Sequence, residues 1–204
     1  MLTPKQLRIK RSVDLLLTLL VLPLVIVPML LLLLIAWLST GSSGWFVQKR
    51  IGANGDSFGL FKIRTLKGSD HKDIVAIKNS ETAFGRWLRR TKLDELPQIF
   101  NVLKGDMSWV GPRPDVPGYA DALEGEDRMI LSVKPGITGP ATLKYRNEDA
   151  LLLEQDDPLD YNDTVIWPDK VKINKEYIEN WSAAGDLKYL LASVFGHNEH
   201  PEGK

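Results

Sequence analysis

Cysteine is absent from the 204-residue chain, and histidine occurs only three times, as His71, His197 and His200. The first absence excludes disulfide scaffolds, thiolate nucleophiles and cysteine-ligated zinc or iron–sulfur centres. The histidines are scattered, two of them in a polar tail, which leaves Ser-His-Asp catalysis and a His-ligated zinc centre without support. Net charge is missing as well: 26 Lys plus Arg stand against 26 Asp plus Glu, so nucleic acid is not an expected partner. No internal repeat or low-complexity tract occurs. Any chemistry is expected to run on carboxylates and arginines.

The zero balance conceals a division. Residues 1–114 carry 17 basic and 8 acidic side chains, a balance of +9, whereas residues 115–204 carry 9 and 18, a balance of −9. One part of the chain is therefore suited to anions and the other is not. The length fits one domain of ordinary size with a sizeable core.

From Leu15 to Leu38 the sequence is LLLTLLVLPLVIVPMLLLLLIAWL, 24 residues without a charge and with Thr18 as the only polar interruption. As a straight helix this run extends roughly 36 Å at ~1.5 Å per residue, more than a hydrocarbon core of about 30 Å. It also exceeds the roughly 7–15-residue apolar core of a signal peptide, so a membrane segment is the better reading. Pro23 and Pro28 lie inside it, and an interior proline removes a backbone donor and clashes with the preceding turn, so a kink is expected. The flanks match in sign: Lys5, Arg8, Lys10 and Arg11 precede the run, and Lys49, Arg50, Lys62, Arg64 and Lys67 follow it. A spanning helix places its basic flank on one side, so matched flanks suit a hairpin that returns to the same face. A kinked single span stays open beside it, since membrane helices tolerate proline.

After a Ser/Gly-rich link at 39–44, the residues Trp45–Arg50 and Phe58–Thr65 read as two short strands around a turn with Gly52, Asn54 and Gly55. Residues 67–80 are polar and read as a loop. A short helix is expected from Glu81, with Phe84, Trp87 and Leu88 on one side and Arg86, Arg89 and Arg90 on the other. A second follows with Pro97 at its first position, Ile99, Phe100 and Leu103 as its apolar side, and Gly105 as its stop. Residues 111–114 and 134–140 are too rich in Pro and Gly for regular structure and are expected as shaped loops. Closing helices are expected to bury Tyr177, Trp181, Leu187, Leu190, Leu191 and Val194, ahead of a frayed tail at 197–204. The predicted class is α+β and mainly helical, divided into a membrane segment (1–40), a compact domain with short strands and amphipathic helices (41–196) and the tail.

The stretch from Arg86 to Gln98 holds the chemistry. Asp94 and Glu95 follow four cations, Arg86, Arg89, Arg90 and Lys92, and precede the helix near Pro97, a setting expected to keep Asp94 ionised, as a carboxylate nucleophile or Mg²⁺ ligand must be. Simple helix capping is the bland reading of such a pair. Arg113, fixed between Pro112 and Pro114, loses little entropy on gripping a phosphate bidentately. Lys62, Arg64, Arg89 and Arg146 are further candidates for the same anion site, with surface cations or headgroup contacts as their ordinary roles.

Several ordered motifs along most of the chain make it resemble the bacterial sugar transferases, in the small monotopic phosphoglycosyl transferase form. They are Lys10-Arg11 with Asp14, the proline within the apolar run, Gln48-Lys49-Arg50-Ile51-Gly52, Phe61-Lys62-Ile63-Arg64-Thr65, Leu93-Asp94-Glu95-Leu96-Pro97-Gln98, Asn101-Val102-Leu103-Lys104-Gly105-Asp106-Met107-Ser108, Val110-Gly111-Pro112-Arg113-Pro114 and Pro135-Gly136-Ile137-Thr138-Gly139. The resemblance implies a re-entrant membrane helix broken at Pro28, with Pro23 sharing the kink. It implies a catalytic domain on the cytoplasmic face of the bacterial inner membrane, in contact with phospholipid. The implied reaction moves a sugar-1-phosphate from a UDP-sugar to polyprenyl phosphate, usually undecaprenyl phosphate, and releases UMP. Carried over, Asp94 is the nucleophile and Mg²⁺ ligand, Glu95 its acid/base or positioning partner, and Arg113, Arg89 and Arg146 phosphate ligands. A homodimer is compatible with this scheme.

The chain departs from the family pattern at Pro140-Ala141-Thr142-Leu143-Lys144-Tyr145, ahead of a retained Arg146, and at Asn174, where an Asp is common. These departures leave the sugar open. Two other readings compete: a membrane-anchored scaffold that has lost the reaction, and a tethered glycosyltransferase that releases UDP.

Overall fold

The structure, a computed structural model, describes residues 1–68 and 80–196; most of the expected 67–80 loop, the tail and all three histidines lie outside the described residues. The N-terminal helix α1 (Pro4–Thr40) starts at a capping box. Thr3 Oγ1 accepts from the Gln6 N–H at 3.3 Å, Gln6 Oε1 accepts from the Thr3 N–H at 2.8 Å, and Pro4 takes the first helical position, where its missing donor costs nothing. Helical structure then runs through Pro23 and Pro28 to Thr40, so the break expected there is not a gap between two helices. Each proline removes one donor and leaves the flanking turns bonded. Only 17% of the most apolar 18-residue window is buried, which sets α1 apart from the core helix of a water-soluble protein.

Contacts group the chain into two compact units. The first comprises Val13–Arg50 and Phe58–Gly105. Its core is built on α1, where Met29, Leu33 and Ala36 recur at helical spacing and pack with Ile63 and Leu88. Strands β1 (Trp45–Ile51) and β2 (Ser57–Ile63) form the expected two-stranded sheet around a turn in which Asn54 and Gly55 take φ of 59° and 87°. Helix α2 (Ala83–Thr91) is capped by Thr82, whose Oγ1 accepts from the Gly85 N–H at 2.8 Å. Its arginine face is exposed as expected. Trp87, expected on the apolar side, is also exposed and stacks on Phe84, while Leu88 is fully buried. Helix α3 (Gln98–Lys104) ends at Gly105 with φ of 96°, as expected. Its buried face carries Gln98, Ile99, Asn101 and Val102, whereas Leu103 is exposed.

The second unit comprises Met1–Ser12, Ile51–Ser57 and the chain from Asp106. Strands β3 (Ser108–Val110) and β4 (Gly136–Thr138) pair in parallel, Ser108 opposite Gly136 and Val110 opposite Thr138. The Pro/Gly-rich stretch expected as loop therefore contains a strand. Gly136 makes it possible, since a Cβ there would lie 2.1 Å from the Gly111 nitrogen. Three short helices, α4 (Pro140–Lys144), α5 (Glu148–Leu153) and α6 (Pro158–Tyr161), lead through a π-turn at 162–166 into α7 (Trp167–Glu179) and then α8 (Ala183–Phe195). The core joins Val110, Ile130, Leu131, Val171, Tyr177 and Ile178, with Leu190 and Trp181 against it. Leu187, Leu191 and Val194, expected inside, are exposed with Phe195 along one side of α8.

Lys10 belongs to this unit and not to a solvated basic flank. Its side chain is 6% exposed, its Nζ lies 2.6 Å from Asp186 Oδ2 and donates to the Tyr177 hydroxyl at 3.1 Å, and Tyr177 and Trp181 both donate to Asp186.

Candidate active site

The carboxylate pair sits where the chain reverses between two helices. Lys92 takes a left-handed conformation (φ 58°) that ends α2, residues 93–95 form one 3₁₀ turn, and Pro97 leads into α3. This tight path turns Asp94 inward: the residue is 7% exposed, and its Oδ1 is buried with no hydrogen-bond partner among the described residues. A buried oxygen left without a donor is costly, so the site is held by the surrounding fold. Glu95 points to β2, where Lys62 Nζ lies 3.6 Å from its Oε1.

Burial pushes the Asp94 carboxyl above its ordinary value, and Glu95 adds to the rise, while Lys62, Lys92 and Arg89 pull it back. The direction is opposite to that expected from the cations alone, because loss of water outweighs them. A carboxylate poorly solvated and without a donor on Oδ1 is a strong nucleophile or a ready cation ligand. The described residues hold no group of three or more His, Cys, Asp or Glu side chains able to enclose a metal. The Asp94 and Glu95 oxygens do fit Mg²⁺, which takes one or two carboxylates and completes its shell with water and substrate phosphate.

The structure brings Asp94, Glu95, Lys62 and Arg89 into one unit. Arg89 is exposed, with its guanidinium 3.6 Å from Glu81. Arg64 is engaged elsewhere in that unit: its Nε donates to the Ser43 carbonyl at 2.8 Å and its guanidinium lies over Phe46, which ties down the link after α1. In the other unit, Arg146 donates to the carbonyls of Gly196 and Ser193 at 2.8 and 3.0 Å and caps the end of α8, where a cation also meets the helix dipole. Arg113 is half-buried on its loop, which is fastened by the Gly111 N–H to Thr138 O (2.9 Å) and the Gly136 N–H to Pro112 O (2.8 Å).

Two features of this framework go beyond the sequence candidates. Lys92 stands in the cation cluster ahead of the pair, but its left-handed backbone leaves no mark in a one-dimensional pattern. Asn101 is wholly buried on α3. Its signal is a polar side chain between Ile99 and Val102 on a short helix, legible only once the buried face is known.

The bacterial sugar transferase family model matches residues 5–198. Among curated relatives, an uncharacterized sugar transferase, EpsL, of Bacillus subtilis is 37% identical over 77% of this chain and 71% of its own length. The UDP-glucose:undecaprenyl-phosphate glucose-1-phosphate transferase of Escherichia coli is 35% identical over 92% of the chain and 39% of its own length. The undecaprenyl-phosphate galactose phosphotransferase of Salmonella typhimurium is 31% identical over 91% and 40%. The chain thus spans about two fifths of the two relatives whose names state a substrate. With a match across nearly all of its length, and the carboxylate turn lying inside it, the chain belongs to the bacterial sugar transferase family.

Proposed function

We propose that the chain transfers a sugar-1-phosphate from a UDP-sugar to polyprenyl phosphate through a covalent intermediate on Asp94. The observation that carries this reading is the buried Oδ1 of Asp94, which has no hydrogen-bond partner among the described residues, beside Glu95 and Lys62. An Asp94 oxygen attacks the β-phosphorus, a new P–O bond forms, the bond from that phosphorus to the bridging oxygen breaks, and UMP leaves with the electron pair. A phosphate oxygen of the polyprenyl acceptor then attacks the same phosphorus. The P–O bond to Asp94 breaks, the carboxylate is restored, and a polyprenyl-diphosphate sugar departs. Glu95 takes the proton of a monoprotonated acceptor or positions its phosphate, and Arg113 and Arg89 bind phosphate oxygens. Asp94, with Glu95 beside it, would hold Mg²⁺, which would supply charge neutralisation for the diphosphate when bound. Chemistry of this kind needs alignment and charge more than proton relays, which suits a site without cysteine or histidine.

The membrane part of the reading is a re-entrant α1 at the cytoplasmic face of the bacterial inner membrane. Both ends of α1 carry side chains packed within this chain, Lys10 with Asp186 near its start and Ala36 in the core with Ile63 near its end. A helix crossing to the far side does not give both ends such partners. The exposed side of α8 (Leu187, Leu191, Val194, Phe195) supports contact with phospholipid.

The test is the nucleotide product and a trapped label. With UDP-sugar donors and undecaprenyl phosphate the protein is expected to release UMP, and donor labelled at the β-phosphate should leave label on Asp94 before acceptor is added. Release of UDP identifies a glycosyltransferase instead, and no release with any donor a scaffold.

A further inference from the structure

We infer that Asn101 is a positioning residue of the carboxylate site, fixing the register between β2 and α3 so that Lys62 stands against Glu95. This rests on the reading of Asp94 as nucleophile. The Asn101 side chain is wholly buried and bonds β2 in both senses: its Oδ1 accepts from the Phe61 N–H at 3.0 Å and its Nδ2 donates to the Gly59 carbonyl at 2.7 Å. Those peptide groups flank Leu60, so the side-chain amide takes the place that a neighbouring strand would occupy. Lys62 is the next residue after Phe61, and α3 follows the Asp94-Glu95 turn by two residues. One side chain thereby joins the segment that holds the cation to the segment that holds the carboxylates.

The Lys62–Glu95 pair does not do this by itself. At 3.6 Å that pair is a charge contact longer than a hydrogen bond and sets distance less sharply than a directional bond does. The two Asn101 bonds are short, directional and shielded from water, so they set the geometry and the ion pair follows. Asn101, Lys62 and the two carboxylates lie within one compact unit, so a β2 that drifts on α3 carries Lys62 away from Glu95.

The experiment measures kcat for UMP release, with KM for the UDP-sugar and thermal unfolding, for Asn101→Ala, Asn101→Asp, Lys62→Gln, the double variant Asn101→Ala/Lys62→Gln and the control Val102→Ala. Val102 is equally buried on the same helix, and its truncation removes packing without touching the Asn101 bonds. Both Asn101 variants are expected to lower kcat by about tenfold or more, as small misplacements do, with KM nearly constant. The double variant should be no worse than Lys62→Gln alone, because the two act through one contact. Val102→Ala should lower the unfolding temperature with kcat nearly unchanged. An unchanged kcat in a folded Asn101 variant, additive losses in the double variant, the same kcat loss in Val102→Ala, or failure of both Asn101 variants to fold overturns the inference. Full activity of Asp94→Asn sinks the covalent reading itself, whereas a dead Asp94→Asn beside a fully active Asn101→Ala sinks the positioning role alone.

Discussion

Replacing Lys10 with methionine keeps the length of the side chain and removes the charge that answers Asp186. The Asp186 carboxylate then keeps two donors, the Tyr177 hydroxyl at 2.7 Å and Trp181 Nε1 at 3.0 Å, and loses the ammonium at 2.6 Å. Because Asp186 is 8% exposed, water cannot replace the lost charge, and an uncompensated buried carboxylate costs about 3–5 kcal/mol. For a chain of this size that is about 6–20 °C in unfolding temperature. Removing both charges, as Lys10→Met/Asp186→Leu, is expected to cost less than Lys10→Met. The Tyr177 hydroxyl still reaches the Val110 carbonyl at 3.4 Å, so the chief residue is the Trp181 N–H, about 1–3 kcal/mol if left unpaired. The assay is thermal unfolding of the three proteins in one detergent at one concentration, followed by tryptophan fluorescence. A Lys10→Met protein within about 2 °C of wild type, or a double variant less stable than Lys10→Met, refutes the reasoning.

Asp94→Asn is expected to abolish UMP release while leaving the unfolding temperature equal to or above that of wild type. The folded-state pKa of Asp94 is raised above its unfolded value, so the stability this group contributes is complete below the unfolded value and lost as pH rises through the folded one; at neutral pH the ionised side chain costs stability that the amide does not. For the same reason the acid limb of the rate profile should lie above the ordinary carboxylate range; an acid limb at or below the unperturbed Asp value counts against Asp94 as nucleophile. Arg146→Ala is expected to fray α8 and cost about 1–2 kcal/mol in thermal unfolding, with KM for the UDP-sugar unchanged; a raised KM at constant unfolding temperature assigns it to phosphate instead. Single cysteines at Thr3 and Ser42, placed in this cysteine-free chain, should both react from the cytoplasmic side, and reaction from opposite sides demonstrates a spanning α1.

The parts of the fold legible in the sequence are those governed by local rules. The apolar run, the Asn54-Gly55 turn and the Gly105 stop follow from hydrophobicity and backbone freedom, and all three stand where expected. What escaped is decided by packing at a distance. Gly136–Thr138 reads as loop because its strand character comes from β3, 28 residues upstream in register, through a contact that only glycine permits. On α8 the stripe of Leu187, Leu191 and Val194 has the period of a buried face, but period alone does not say whether protein or lipid covers it.

The carboxylates were legible for a similar reason and their environment was not. Asp94 and Glu95 stand out beside their cations, yet whether cations or burial governs Asp94 depends on how far the turn recesses it. The same holds for the +9 excess of residues 1–114. Read as free positive charge, it offers many anion ligands; in the folded chain Lys10 is answered by Asp186, Arg64 by the Ser43 carbonyl, Lys62 by Glu95, and Arg86 by Glu81. A cation already held by a carboxylate or carbonyl binds a phosphate only by giving up that partner, which lowers its affinity by the strength of the contact broken. Charge segregation along the sequence therefore overstates the number of phosphate ligands. Much of the basic excess serves to hold the N-terminal helix, its link to β1 and the carboxylate turn in place, and a recessed carboxylate needs that framework before any phosphate arrives.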